Sequence, residues 1–397
     1  IKDTLTYDIV GSFLRPAEIK EARNYKDGKI TKEELTQAED LAIASLVEKE
    51  VAHGLKYVTD GEFAAGGGIW TGSKNLMDSI PFISQKKSME PVMKLSLEPL
   101  LIDHFLQLGN KETPYYGTDI HALIDDIAKA YQDAILDFYD HGCRYLQIDD
   151  TSWTYLIDEN FQKKITALGY TKGQILNWFQ LVSTKALEHK PEDFFIATHF
   201  CKGNFKGNPL FHGFYDSVSP VIAEIPYDAF FVEYDDARSG SFAPWSVLKD
   251  KDAIFVAGLI STKNPILEDH DFLKKRYAEA RSVVGEQIAL SPQCGFASVE
   301  EGNCIDEETQ WKKIDLGILS GFSVKTQEKL PVAASFKCMA IKTSASLNSK
   351  KAAIHNCLLY SRISYYFSNG IQFRIFIIKM TIYSLFTINL TVIPIIF

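Results

Sequence analysis

An α/β fold, an eight-stranded β/α barrel of the TIM type, is what this sequence predicts, and three observations predict it. Short apolar runs end in polar or charged residues, amphipathic helical stretches lie between them, and the runs are near-continuously apolar, as strands covered on both faces are. Strands that alternate with helices pair in parallel, because a parallel partner is reached only through a crossover. No glycine-rich phosphate loop follows the first run, which weakens the case for an open nucleotide-binding sheet.

In chain order, YDIVGS (7–12) is the first run. ITKEELTQAEDLAIASLVEKEVAHG (30–54) then places apolar residues three and four apart, the spacing of one helical face. LKYVTDGE (55–62) is the second run, and DIHALIDDIAKAYQDAILDFYDHG (119–142) is a second amphipathic helix ending at a glycine stop. CRYLQIDD (143–150), DFFIATHFC (193–201), AFFVEYDD (229–236), AIFVAGLIS (253–261) and QIALSPQCG (287–295) complete the series. Seven such runs within one chain suit a barrel.

The 397 residues, 46% of them hydrophobic, suffice for a large core. A net charge of −9 offers no basic face to neutralise phosphates, so a small-molecule partner is expected and no nucleic acid. Six cysteines without a repeating spacing, and no signal pattern at the N-terminus, point to a reducing, cytoplasmic setting. The charge is uneven: residues 1–316 carry −17, whereas 317–397 carry +8. The expected division is therefore a barrel over 1–316 and an atypical tail over 317–397, disordered or a translation artefact. The tail ends in IFIIKMTIYSLFTINLTVIPIIF, long enough at roughly 20 residues to span a bilayer but interrupted by Lys379, and a membrane role is not expected.

In a β/α barrel the reacting groups stand at the C-terminal strand ends. Three successive strand ends here supply His199 with Cys201, then Glu233, then Cys294. Separations of 32 and 61 residues are too long for a zinc-finger loop but suit ligands delivered by neighbouring strands. Two thiolates, an imidazole and a carboxylate form a set for which zinc is the natural ion, since sulfur selects against magnesium and calcium.

HFC, FVEYDD and SPQCG resemble the zinc-binding strands of the catalytic barrel of cobalamin-independent methionine synthases, in particular the short single-barrel branch. VGSFLRP (10–16), TDGE (59–62) and QIDD (147–150) extend the resemblance from Tyr7 to about Leu316. It implies that His199, Cys201, Glu233 and Cys294 hold zinc and that Val10, Gly11, Ser12, Glu62 and Asp149 hold homocysteine. The implied reaction is transfer of a methyl group, from 5-methyltetrahydrofolate or its polyglutamate, to the homocysteine thiol to give methionine. The residue types suit that substrate: Glu62 and Asp149 can bind an ammonium group, and the Gly11–Ser12 turn can offer a donor to a carboxylate.

The sequence also departs from that family. Lys263 stands where large members carry a proton-donating histidine, so it is the candidate donor, and Tyr155 replaces a glutamate near the folate. After TDGEF, short members continue with a segment resembling RRxWWHLDW, whereas this chain reads AAGGGIWTGSKNL. Trp-Trp-His-Leu codons read one base late give Gly-Gly-Ile-Trp, the residues at 67–70, so roughly 64–110 is expected to be read in a shifted frame. Two other readings remain open: a related zinc thiol methyltransferase fed by a corrinoid or other methyl donor, and an inactive zinc-binding barrel.

Overall fold

The computed structural model describes residues 1–22, 30–63, 90–96, 119–150, 152–299 and 301–322. All lie in one compact unit, Ile1–Glu328; the second unit, Lys329–Phe397, lies outside them, as do the apolar terminus and most of 64–110. Among the described residues no helix is long and apolar enough to cross a membrane.

Among the described residues seven strands form one sheet in chain order: β1 (Tyr57–Val58), β2 (Glu90–Ser96), β3 (Tyr145–Asp149), β4 (Phe195–Phe200), β5 (Ala229–Glu233), β6 (Ile254–Ile260) and β7 (Ile288–Pro292). Every neighbouring pair is parallel. The fold is thus α/β with a parallel sheet, as expected. The first expected run, YDIVGS, is present as a single parallel bridge from Tyr7 to Leu290, flanked by hydrogen bonds from Asp8 N to Leu290 O and from Leu290 N to Thr6 O. On its other side Phe13 N donates to Gly61 O, beyond the end of β1.

The helices form where the sequence places them, for local reasons. Thr31 and Glu34 cap each other's backbone N–H at the start of Lys32–Ala52, a reciprocal capping box. Asp119 caps Ile120–Asp140, which buries Ile124, Ile127, Tyr131, Ile135 and Phe138, spaced three and four apart on one face. Lys172–Leu187 crosses from β3 to β4, and His270–Val284 from β6 to β7, stopping at Gly285 with φ 90°.

The last helix, Glu307–Phe322, runs past the boundary expected at 316. A Cβ on Gly317 would meet the Tyr7 ring, and one on Gly321 would lie 2.9 Å from Thr6 O. That boundary was set by a shift in charge, which marks composition; the close approach to the N-terminal segment is what ties the last turns to the unit.

One buried cluster explains how the site is aimed. Tyr145, Phe195, Ala197, Ala229, Phe231 and Val256 belong to it. Side chains along a strand share a face at every second residue. Continuing the same parity toward the C-terminal ends leads from Tyr145 to Asp149, from Ala197 to His199 and from Phe231 to Glu233. The register pairs Asp149 with His199 and Glu233 with Gly258.

Candidate metal centre

His199 is the fifth residue of β4 and Cys201 follows its end, while Cys294 stands two residues past β7. Their ligand atoms all lie within 4.8 Å of one another, and the three residues are buried, with exposures of 1%, 3% and 6%. The imidazole is held from behind: its Nδ1 lies 2.7 Å from Asp149 Oδ1, leaving Nε2 on the β7 side, 3.2 Å from the carbonyl oxygen of Gln293. A carboxylate on the far ring nitrogen is the usual support of a metal-bound histidine. An imidazole so oriented beside two thiols fits zinc.

The two thiols are electrostatically unequal. Cys294 is drawn below the ordinary thiol range, first by the hydrogen bond it receives from Cys201 and then by the nearby His199, against the effect of burial. Cys201, as the donor of that bond and in a buried place, is pushed up. Cys294 is therefore the first thiolate of the pair.

Glu233 lies outside this group of three. It is 1% exposed, and its carboxylate accepts from Lys202 N at 2.9 Å through Oε2, and from Lys263 Nζ at 3.1 Å and Arg238 at 3.3 Å through Oε1. Lys263 is no surface lysine: its side chain is 10% exposed and also pairs with Asp235 at 2.7 Å. Burial alone would lower its pKa, but Glu233 and Asp235 together raise it. It holds its proton more firmly than a free lysine.

The residues expected to hold an amino acid converge on the same end of the sheet. Phe296 N donates to Ser12 O at 2.8 Å and Ala297 N to Ser12 Oγ at 3.3 Å, so the Gly11–Ser12 turn is fastened to the loop that carries Cys294. Gly295 makes this approach possible, because a Cβ there would overlap the Ser12 hydroxyl and lie 2.8 Å from Ser12 Cβ. Gly11 has φ 117°, and its carbonyl accepts from Thr59 Oγ1 at 3.0 Å. Thr59 N in turn donates to the buried Glu50 at 3.1 Å. Val10 is buried, and its carbonyl accepts from Gln147 Nε2 at 3.2 Å. Glu62 takes φ 58°, a left-handed conformation uncommon outside glycine, with its N–H on Asp60 Oδ1 at 2.9 Å and its carbonyl on Arg15 at 3.3 Å. Asp149, half-buried, is the residue that supports His199.

Three groups here were not foreseen, two of them buried and Arg238 partly exposed. Lys202, fully buried beside Cys201, donates to Arg238 O at 2.7 Å, and desolvation brings its pKa down to about 8. Gln293, next to Cys294, accepts from Thr262 N and Oγ1 at 3.0 and 2.6 Å. Arg238 bridges Asp236 and Glu233. Their only sequence signal is adjacency to the strand-end residues. Asp150, the last residue of the run CRYLQIDD, is fully buried; desolvation raises its pKa to about 7, although Ser152 and Trp153 donate to it.

No family model matches the chain. The uncharacterized protein YxjG of Bacillus subtilis (strain 168) is 36% identical over 344 residues, covering 77% of this chain and 91% of YxjG. A candidate vitamin-B12-independent methionine synthase of Listeria monocytogenes superposes with a TM-score of 0.62 at 29% identity, over 81% of this chain and 98% of that one. A B12-independent methionine synthase of Shewanella sp. W3-18-1, solved with selenomethionine, does so with a TM-score of 0.57 at 13% identity, over 81% and 98%. The last comparison speaks to fold alone. On identity and coverage together, this chain belongs to the family of YxjG and shares its fold with the B12-independent methionine synthases.

Proposed function

We propose that the protein is a zinc-dependent methyltransferase that methylates the thiol of homocysteine to form methionine, with a methyltetrahydrofolate or its polyglutamate as donor. The observation that carries this reading is the buried group His199, Cys201 and Cys294 at the strand ends, within 4.8 Å of one another. These three would hold zinc, which when bound lowers the pKa of a substrate thiol so that it reacts as a thiolate at neutral pH.

The remaining steps belong to the chain's own residues. Asp149 keeps the His199 ring oriented through Nδ1. The Gly11–Ser12 turn and Val10 meet the carboxylate end of the amino acid, and Glu62 with the outer oxygen of Asp149 meets its ammonium group. Holding both ends of a small amino acid fixes its side-chain sulfur in line with an incoming methyl group, so that the sulfur–carbon bond forms as the folate nitrogen–methyl bond breaks; the thiol proton goes to solvent and the leaving nitrogen takes one from it. Lys263, paired with two carboxylates and raised in pKa, acts as a charge partner rather than as the proton donor expected from its place in the sequence. Thr6–Val10, bonded to β7 and followed by the turn against Gly61, is read as the strand that closes the barrel. Two reduced thiols so close together call for a reducing compartment, the cytoplasm.

The test is to purify the chain, measure bound zinc, and follow methionine formation from homocysteine with methyltetrahydrofolate, its polyglutamate or a methylated corrinoid as donor. One zinc per chain and turnover with a folate are expected. Absence of zinc refutes the site, and turnover with the corrinoid alone refutes the donor.

A further inference from the structure

We propose that Arg15 is a positioning residue that aims Glu62 at the ammonium group of the substrate, and so sets the preference of the site for an amino-acid thiol over a thiol without the amino group. This rests on the homocysteine reading given above and adds the residue that enforces it. Arg15 does not touch the substrate in this role; it acts through the backbone of Glu62.

The turn beyond β1 shows why such a residue is needed. Asp60, Gly61, Glu62 and Phe63 form a turn closed by Phe63 N on Asp60 O at 3.1 Å, with φ 64° at Gly61 and 58° at Glu62. Two positive φ values in succession belong to a type I′ turn, whose central places favour glycine, asparagine and aspartate, so glutamate is held there against its own preference. The peptides on either side of Glu62 fix that conformation. In the one before it, Gly61 O accepts from Phe13 N at 3.1 Å and Glu62 N donates to Asp60 Oδ1 at 2.9 Å. In the one after it, Phe63 N closes the turn and Glu62 O accepts from Arg15 Nη2 at 3.3 Å. Arg15 thus grips the turn from outside, and it is itself anchored: 4% exposed, it donates through Nη1 to Ala297 O at 2.8 Å and to Val299 O at 3.2 Å. The guanidinium is a rigid planar fork, so bonds from Nη1 to the loop after β7 set the direction of Nη2. Once Glu62 O is released, the peptide after Glu62 is free to turn over and the residue returns to an ordinary φ. That change redirects its Cα–Cβ bond and carries the carboxylate away from the ammonium group.

The experiment measures, by titration calorimetry on the full chain, the binding of homocysteine and of γ-mercaptobutyrate, the same thiol acid without its amino group. Arg15→Gln should weaken homocysteine at least about tenfold, as expected for the loss of a charged hydrogen bond, and leave γ-mercaptobutyrate within about twofold of the unaltered chain. Glu62→Gln should show the same split between the two ligands. Adding Arg15→Gln to Glu62→Gln should weaken homocysteine by less than about a further twofold, because both changes remove one contact. Should Arg15→Gln fail to fold because buried carbonyls lose their donor, Arg15→Lys, which keeps a cation but not the planar fork, serves in its place with the same split expected. Equal losses for the two ligands would overturn the proposal, since a residue that only braces the loops weakens both. Independent losses in the double variant would overturn it as well. Failure of the unaltered chain to bind homocysteine would instead overturn the substrate reading itself.

Discussion

Gly295→Ala tests whether the amino-acid turn and the metal loop are one mechanical unit. The added methyl would overlap the Ser12 hydroxyl, lie 2.8 Å from Ser12 Cβ and 3.1 Å from Ser12 N. A different serine rotamer relieves the first contact only. Carbon atoms pack at about 3.5–4.0 Å, so the two backbones must part by roughly 0.7–1.2 Å. Overpacking of this size costs about 1–3 kcal/mol, which in a domain of this class lowers the melting temperature by on the order of 5 °C. The functional loss should be larger than the loss of stability. Zinc distances tolerate about 0.2 Å, and a shift of about 1 Å at a reacting centre costs roughly 100-fold in rate. Chelator competition should therefore show zinc affinity falling at least about tenfold, with kcat/KM for homocysteine falling roughly 100-fold. Gly173→Ala is the control: nothing lies within 4 Å of its Cβ position on the helix Lys172–Leu187, and alanine there should add about 0.5–1 kcal/mol with activity unchanged. A Gly295→Ala protein with native zinc affinity and native KM would refute the coupling of Ser12 to Cys294.

Three further outcomes are expected. Cys201→Ser, nearly isosteric in its buried place, should leave the fold intact while elemental analysis finds less than one zinc in ten chains; full occupancy would remove Cys201 from the ligand set. Asp149→Asn should weaken zinc about 10–100-fold through the loosened His199 ring and raise the KM for homocysteine as well, whereas a change in KM alone would limit Asp149 to the substrate. Glu50, fully buried with Thr59 N as donor, has its pKa raised well above the ordinary value, burial being the main cause. Its stabilising contribution is complete below about pH 4.5 and is lost as pH rises through the folded value, so Glu50→Gln should gain on the unaltered chain with increasing pH, at up to about 1.4 kcal/mol per unit. Urea unfolding at several pH values measures this, and parallel pH curves would contradict it.

Much of the fold was legible because strands and helices announce themselves by period. The run DFFIATHFC carries both the buried strand β4 and the parity that turns His199 toward the core cluster. Strand β2 was not seen, since EPVMKLS lies inside the stretch that departs from the family pattern. Three of the four expected zinc ligands meet, because strand ends place backbones and a two-residue repeat places side chains. The fate of Glu233 was not legible: its partners Lys263 and Arg238 come from different loops, and which of several buried charges pair is decided by packing distances no local pattern encodes. The same holds for Lys202, whose neighbour in sequence is a thiol but whose charge is satisfied at Arg238 and Ser239.

The fastening of Ser12 to Ala297 has a consequence for the order in which the protein is made. Ser12 is made before His199 and Cys201, and Cys294 with its loop is made after them. A nascent chain that has completed β4 but not β7 owns two of the three residues of the candidate metal group and lacks the loop that fastens Ser12. On the proposed zinc reading such a chain would hold the ion only loosely, and capture would follow translation past Cys294, so a chain cut short before that residue would be released without it.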